Sequence, residues 1–412
     1  MSFEFMWAPH VHAEEQTELD ALSLADQTPQ SSEQQRSYQF FIEGMTGLIS
    51  QKDSTENIHP SRISIDVNID QRLNQQWRAV VANRLDLNWQ AGQDEQINTL
   101  KEAYLSWQAQ PTLLFDVGRI NQRNGMAYGY NPSDYFKADA VRSVVSIAPS
   151  SLRENRLGSA MLRGQYLWES GAISALYSPK LADADQQHSS APFAPDWAAS
   201  NFAARWQLSF SQRWFDGFSP QFIVYREAEK SPQVGLNFSW LATDALTLYT
   251  EYSGGRGPSL LQSALGIQGQ ERFYSRVASG ASYTLPINLN LTLEYQYNQA
   301  ALNQSAWQAL AQQTPLYWAY RQHAFRQQDN PTQHNLFLLA SWNNAIWRNL
   351  DLNLMLRRDL GDQSLQHWLE ARYHFKTADV AVQWQSQSGA AGSQYGALPQ
   401  QHSLQLLLKY FF

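Results

Sequence analysis

The chain has 412 residues, a formal net charge of −7, 16% charged and 13% aromatic residues, and a mean hydropathy of −0.48. No stretch approaches the roughly 18 uninterrupted apolar residues of a membrane-crossing helix, which excludes a helical membrane protein. With no cysteine there is neither a disulfide framework nor a thiolate metal site, and the mild acidity argues against nucleic acid as a partner.

At the start, Val11-His12-Ala13 has the small-x-small character of a secretory cleavage site and precedes acidic Glu14-Glu15. Upstream, Met1–His10 lacks a basic region and a sufficient apolar run. Residues 1–13 are therefore read as a signal-peptide remnant or a floppy end. Residues 14–36 are polar and are expected to form a disordered periplasmic lead-in.

From residue 37 one pattern repeats to the end. Ile63, Ile65, Val67 and Ile69 share one face of an extended segment, and Ser64, Asp66, Asn68 and Asp70 share the other. Trp77, Ala79, Val81, Leu85, Leu87 and Trp89 likewise oppose Arg78, Arg84, Asp86 and Asn88. Leu289, Leu291, Leu293, Tyr295 and Tyr297 oppose Asn290, Thr292, Glu294 and Gln296, and Leu350, Leu352, Leu354 and Leu356 oppose Asp351, Asn353 and Arg357. Sustained period-two alternation is a strand signal. A soluble sandwich would rarely put charge on the hidden side of so many strands, whereas lipid outside and water inside fits. Trp77 and Trp89 stand twelve residues apart, roughly 30 Å once strand rise and a tilt of about 40° are allowed for, the distance between two membrane interfaces.

The fold class expected is all-β, a transmembrane antiparallel β-barrel of about 18 strands, 16 to 18 being acceptable. It fills residues 37–412. The segments are 37–50, 61–71, 77–89, 98–108, 112–120, 158–168, 171–178, 202–212, 219–227, 232–241, 246–254, 272–283, 288–298, 334–342, 348–357, 364–375, 378–388 and 401–412. Alternate connections are tight, as at 72–76, 109–111, 169–170, 284–287 and 376–377. The intervening ones are mostly long: 121–157, 179–201, 255–271 and 299–333, with 228–231 an exception. Short periplasmic turns, long extracellular loops and both termini on the periplasmic side form the outer-membrane plan. A barrel this wide cannot be filled by its own side chains. Loop 121–157, with Arg123, Asp134, Lys137, Asp139 and Arg142, is the candidate to fold inward as a constriction; the alternative lays it over the surface.

Leu100-Lys-Glu-Ala-Tyr-Leu-Ser-Trp107, Asp116-Val-Gly-Arg-Ile-Asn-Gln-Arg-Asn-Gly125 and Tyr130-Asn-Pro-Ser-Asp-Tyr135 together resemble a hallmark of alginate-export-like and related proteobacterial porins. Gly118-Arg119, Gly125 and Asn131-Pro132-x-Asp134 match that pattern, while Ile120 and Asn124 replace its usual Gln and Trp. The likeness covers about residues 98–136 and implies that these residues line or shape a pore. Independently, Asn131-Pro132-Ser133-Asp134 is strong turn chemistry. Arg119, at a strand end, could pin the loop by pairing with Asp134 or face an anionic solute.

The expected lining is mixed: Asp66, Asp70, Arg78, Arg84, Asp86, Asp116, Arg163, Arg276, Glu294, Asp351, Arg357, Glu370, Arg372 and Lys409, with Arg119, Arg123 and Asp134 at the constriction. Mixed signs suit polar or zwitterionic solutes. Loop 299–333 gathers Trp307, Tyr317, Trp318 and Tyr320 beside Arg321 and Arg326, either as loop packing or as a vestibule for sugar-like or lipid-like molecules. No catalytic signature stands out. His367 and His374 fall on opposite faces of one strand, and Gly254-Gly-Arg-Gly257 reads as a surface loop rather than a phosphate cradle.

The chain ends Ser403-Leu-Gln-Leu-Leu-Leu-Lys-Tyr-Phe-Phe412, with Leu404, Leu406, Leu408, Tyr410 and Phe412 on one face. A final amphipathic strand closing on an aromatic residue resembles the insertion signal of outer-membrane barrels, carried here by Tyr410 and Phe412. The function expected is a porin-like channel for small polar or amphiphilic solutes, without cofactor or enzymatic activity. Its partners would be outer-membrane lipid, lipopolysaccharide and the barrel-assembly machinery. The alternatives are a dedicated exporter of a polysaccharide or lipid-like product with periplasmic machinery, and an adhesive barrel.

Overall fold

The computed structural model describes residues 37–412 apart from 53, 91, 182–202 and 268. The readings of residues 1–36 and of most of 179–201 lie outside the described residues. The strands are β1 (Tyr38–Gln51), β2 (Ser61–Arg72), β3 (Trp77–Gln90), β4 (Gln93–Gln110), β5 (Leu113–Ile120), β6 (Ser159–Trp168), β7 (Gly171–Ser178), β8 (Arg205–Gln212) and β9 (Gln221–Glu227). They continue with β10 (Gln233–Thr243), β11 (Leu246–Gly257), β12 (Arg272–Leu285), β13 (Leu289–Asn298), β14 (His334–Trp342), β15 (Leu350–Asp359), β16 (Leu365–His374), β17 (Ala378–Ser388) and β18 (Gln400–Phe411).

All pair antiparallel with their sequence neighbours in one 18-stranded sheet, and β1 pairs with β18 in the register Phe41↔Phe411, which closes the barrel. At a strand spacing of about 4.8 Å and a tilt of about 40°, the backbone cylinder is roughly 36 Å across. Side chains alone leave such a bore open.

The usual inside-out rule is inverted. Along β18, Leu404, Leu406, Leu408, Tyr410 and Phe412 are 49, 49, 54, 47 and 54% exposed, while Ser403 and Leu407 point inward and are buried. Trp77 and Trp89 are both outward and exposed at opposite ends of β3. Polar side chains such as Ser64, Asp86, Glu251 and Glu294 are buried inside instead. Two-sided alternation with the apolar side exposed is stable only when lipid covers that side. The barrel is accordingly of the outer-membrane type.

Four departures from the sequence reading have physical causes. β3 and β4 run on to the pair Gln90↔Gln93, so 90–97 is a tall hairpin and not a loop. Above the membrane both faces of a hairpin can be polar, and the alternation vanishes. Gly254–Gly257 belongs to β11, because Gly254 and Gly255 pair with Val234 and Gln233 on β10 and with Ser275 and Tyr274 on β12. The register slips between Ala82 and Asn83 opposite β4, which leaves Lys101 as an extra residue. Loops 255–271 and 299–333 carry helices: α2 (Leu260–Leu265), α3 (Gln304–Ala311) and α4 (Thr314–Gln327) follow α1 (Pro149–Glu154) of the earlier loop.

Phe412 rests on Phe40 and Tyr410 at ring separations of 4.8 and 4.9 Å, and its N–H donates to the Phe40 carbonyl. Deleting Phe412 removes both contacts at the closing seam. The expected result is a lower yield of folded, heat-modifiable barrel on gels, with Phe412→Trp retaining most of it. Equal yields from the truncated and full chains would count against an insertion role.

Candidate functional site

The connection from β5 to β6, residues 121–158, runs inside the barrel. Asn124 Nδ2 donates to Gln207 Oε1 of β8 at 3.0 Å. The Ala127 N–H then donates to Glu251 Oε1 of β11 at 2.5 Å. On β13, Glu294 accepts the Tyr128 N–H at 2.8 Å and the Tyr130 N–H at 3.1 Å, with the Gly129 N–H at 3.2 Å. Tyr249 and Gln296 also donate to Glu294 and hold its carboxylate in place. The two glutamates thus satisfy a run of backbone donors that no sheet or helix pairs, as buried amides require.

Further along, Tyr128, Ile147 and Ala148 pack on Phe337, Met355 and Trp368 of β14, β15 and β16. Tyr135 stacks on Tyr225 of β9 at 4.5 Å. On the far wall, Arg62 of β2 donates to the Val145 carbonyl at 3.2 Å. The segment therefore touches the wall from β8 through β16 and again at β2. Gly125 has φ +80°, and a Cβ there would lie 2.2 Å from the Glu251 carboxylate, so the close approach requires glycine.

Within the loop, Asp134 pairs with Arg156 at 2.7 Å, not in the Arg119 pair that the sequence suggested. Arg119 donates to the Gly158 carbonyl at the loop's far end. Both cations still hold the loop, but the partners follow its folded path. Arg153 adds a brace, donating to the Gly125 carbonyl at 3.0 Å. Asn131 donates to the Ala127 carbonyl at 2.5 Å, and the Asp134 N–H bonds the Asn131 carbonyl, the turn foreseen in Asn-Pro-Ser-Asp.

The loop is also tied to the outer helices. Lys137 reaches Asp329 at 3.0 Å, and Arg326 at the end of α4 reaches Asp139 at 2.6 Å. Burial pushes the Asp329 carboxyl up, but Lys137 and Arg276 outweigh it and hold the group below the usual carboxylate range. The tie therefore persists above the ordinary carboxylate pKa and loosens only as pH falls through the depressed one. The aromatics of 299–333 divide: Trp307, Tyr317 and Tyr320 form a buried core with Leu260, Leu310 and Ala324, while Trp318 is 40% exposed. Arg321 lies over Trp307, Tyr317 and Trp318 at 5.8, 5.1 and 5.2 Å. For three of the four aromatics the arrangement is loop packing.

The expected lining residues fall into groups. Asp66, Arg84 and Asp86 meet in one cluster that sequence reasoning left incomplete, because Glu43, Arg62 and Lys101 join it. Arg84 lies 2.9 Å from Asp86, 3.2 Å from Glu43 and 3.6 Å from Asp66; Lys101 lies 2.7 Å from Asp66 and Arg62 2.6 Å from Glu43. Asp70 and Arg78 pair separately, half exposed near the short turn 73–76. Asp116 holds Arg163 at 2.8 Å, and Arg372 holds Glu370 at 2.9 Å. Arg357 lies over the Phe337 ring, and Lys409 sits 3.8 Å from the centroid of Phe41. Arg123 is half-buried in the loop. Glu251 was missed, although it alternates inward with Thr247, Tyr249 and Ser253 while Leu246 and Leu248 alternate outward.

A closed 18-stranded antiparallel barrel with a lipid-facing belt is an outer-membrane barrel fold, and solved structures share it. The fold is similar to Acinetobacter baumannii OccAB1 (10% identity, TM-score 0.55, covering 92% of this chain and 97% of that one). It is also similar to Pseudomonas aeruginosa OccK5 (OpdH), at 8% identity and TM-score 0.53 over 91% and 98% of the two chains. Pseudomonas aeruginosa OpdQ gives 8% and 0.53 over 92% and 99%. No family model and no curated protein sequence matches the chain. At these identities the likeness is one of fold.

Proposed function

We propose that the chain is a selective outer-membrane channel through which small polar or amphiphilic solutes pass down their gradient. One observation carries this reading: residues 121–158 are fastened across the bore by Glu251 and Glu294, which narrows a cylinder otherwise wide enough for bulk water. Three pairs of opposite charge stand on the inner wall, Asp70–Arg78, Asp116–Arg163 and Glu370–Arg372. Paired charges set up a transverse field that orients dipolar solutes without strongly favouring one ion sign. The affinity with alginate-export-like porins read from residues 98–136 is part of this proposal. A polymer exporter draws no support from the bore, since the many ties on the loop oppose the wide, continuous path a polysaccharide needs.

Planar-bilayer recording and liposome swelling test the proposal. The expected result is a small single-channel conductance with weak cation–anion selectivity, and swelling with amino acids or short sugars that fails for larger oligosaccharides. A folded barrel that passes neither ions nor solutes would defeat it.

A further inference from the structure

Strands β13–β18 treat their two faces differently. Every carboxylate on them (Glu294, Asp351, Asp359, Glu370 and Asp379) points into the bore and is buried or half-buried. The outward face carries His334, Arg358, His367 and His402 instead, all at the long-loop end. The registers place them side by side. His334 pairs with Tyr297, Arg358 with Leu336, and Ser386 lies between His367 and His402.

Aromatic rings flank three of the four. Tyr295 Oη is 2.7 Å from His334 Nδ1, and Trp384 lies 6.5 Å from His367 and 6.2 Å from His402. Arg358 hydrogen-bonds a neutral amide oxygen, that of Gln363, and no carboxylate among the described residues pairs with it. The row spans about 19 Å from β14 to β18. Below it the outward face is leucine, alanine and valine, down to the aromatic girdle of Trp342, Tyr373, Phe375, Tyr410 and Phe412 at the short-turn end.

We infer that this face docks a phosphorylated glycolipid of the outer leaflet, its phosphates on the row and its acyl chains over the apolar surface beneath. The charge pattern selects that partner. A guanidinium and imidazoles can donate to phosphate oxygens. A zwitterionic phospholipid would bring an ammonium group that finds no carboxylate here. The aromatic rings lie at headgroup level, where amphipathic rings are favoured, and suit contact with a sugar backbone. The surface is separate from the bore, so it stands or falls independently of the transport reading.

Native mass spectrometry of the full chain in detergent tests it with three lipids: diphosphorylated lipid A, the same glycolipid dephosphorylated, and phosphatidylethanolamine. Lipid A is expected to give the dominant adduct. The variant H334A/R358Q/H367A/H402A should reduce that adduct by about tenfold or more, and R358Q alone by a smaller factor. R226Q, which alters an outward arginine on β9, should leave it unchanged. These positions face lipid, so the variants retain the barrel, which gel heat-modifiability confirms. Equal binding of the phosphorylated and dephosphorylated glycolipids would overturn the inference, as would an unchanged adduct in the quadruple variant or a preference for phosphatidylethanolamine.

Discussion

The double variant E251A/E294A should conduct more current, and more noisily, than the native barrel. Its two carboxylates receive the N–H groups of Ala127, Tyr128, Gly129 and Tyr130. A buried hydrogen bond of this kind contributes about 1 kcal/mol net. Losing three of them shifts the loop's attachment by about 3 kcal/mol, roughly a hundredfold in population. The freed backbone donors then turn to water, which the wide bore supplies. Conductance rises, and oligosaccharides previously excluded should swell liposomes. Glutamine at both positions keeps an acceptor oxygen and should give an intermediate channel. Gly125→Val should act like the alanine pair, because its side chain would meet the Glu251 carboxylate. An unchanged conductance in E251A/E294A would show that these contacts do not set the width of the path.

The second large effect is on stability. Arg84→Ala removes the cation shared by Glu43, Asp66 and Asp86, whose side chains are 10, 4 and 1% exposed. Breaking a buried ion network by deleting one member costs about 3–5 kcal/mol, mostly through the uncompensated charge left behind. Lys101 and Arg62 still serve Asp66 and Glu43, so Asp86 suffers most. The urea midpoint of the lipid-reconstituted barrel, followed by tryptophan fluorescence, should fall markedly. Arg84→Met with Asp86→Leu, which removes charge on both sides, should recover much of the loss. A midpoint unmoved by Arg84→Ala would mean that water reaches the cluster freely enough to replace the guanidinium.

Much of the architecture could be read from residue order because lipid imposes a strict rule. Every strand that crosses the membrane must keep one face apolar, as Ile63 to Ile69 and Leu404 to Phe412 do. Where that rule stops, legibility stops. The hairpin at 90–97 rises beyond the membrane and alternates weakly. Helices α3 and α4 are too short to declare themselves alone; they form because Trp307, Tyr317 and Tyr320 find one another and Leu260. The site divides in the same way. Wall residues such as Asp66, Arg84 and Glu294 follow from period two. The partner of Asp134 depends on an irregular path, and the strand-end position of Arg119 gave no sign that Arg156 would reach it.

The seam between the first and last strands bears on how the molecule is made. Phe41 meets Phe411, and Leu48 meets Leu404, so β1 stays unpaired along one edge until β18 reaches it. Until then the growing sheet carries two bare edges, each a row of unmet amides able to recruit a neighbouring chain. Ring closure also joins the most distant points of the polypeptide, the slowest kind of contact to form. The β1–β18 pair is thus the contact whose late formation leaves the sheet most open to wrong pairing.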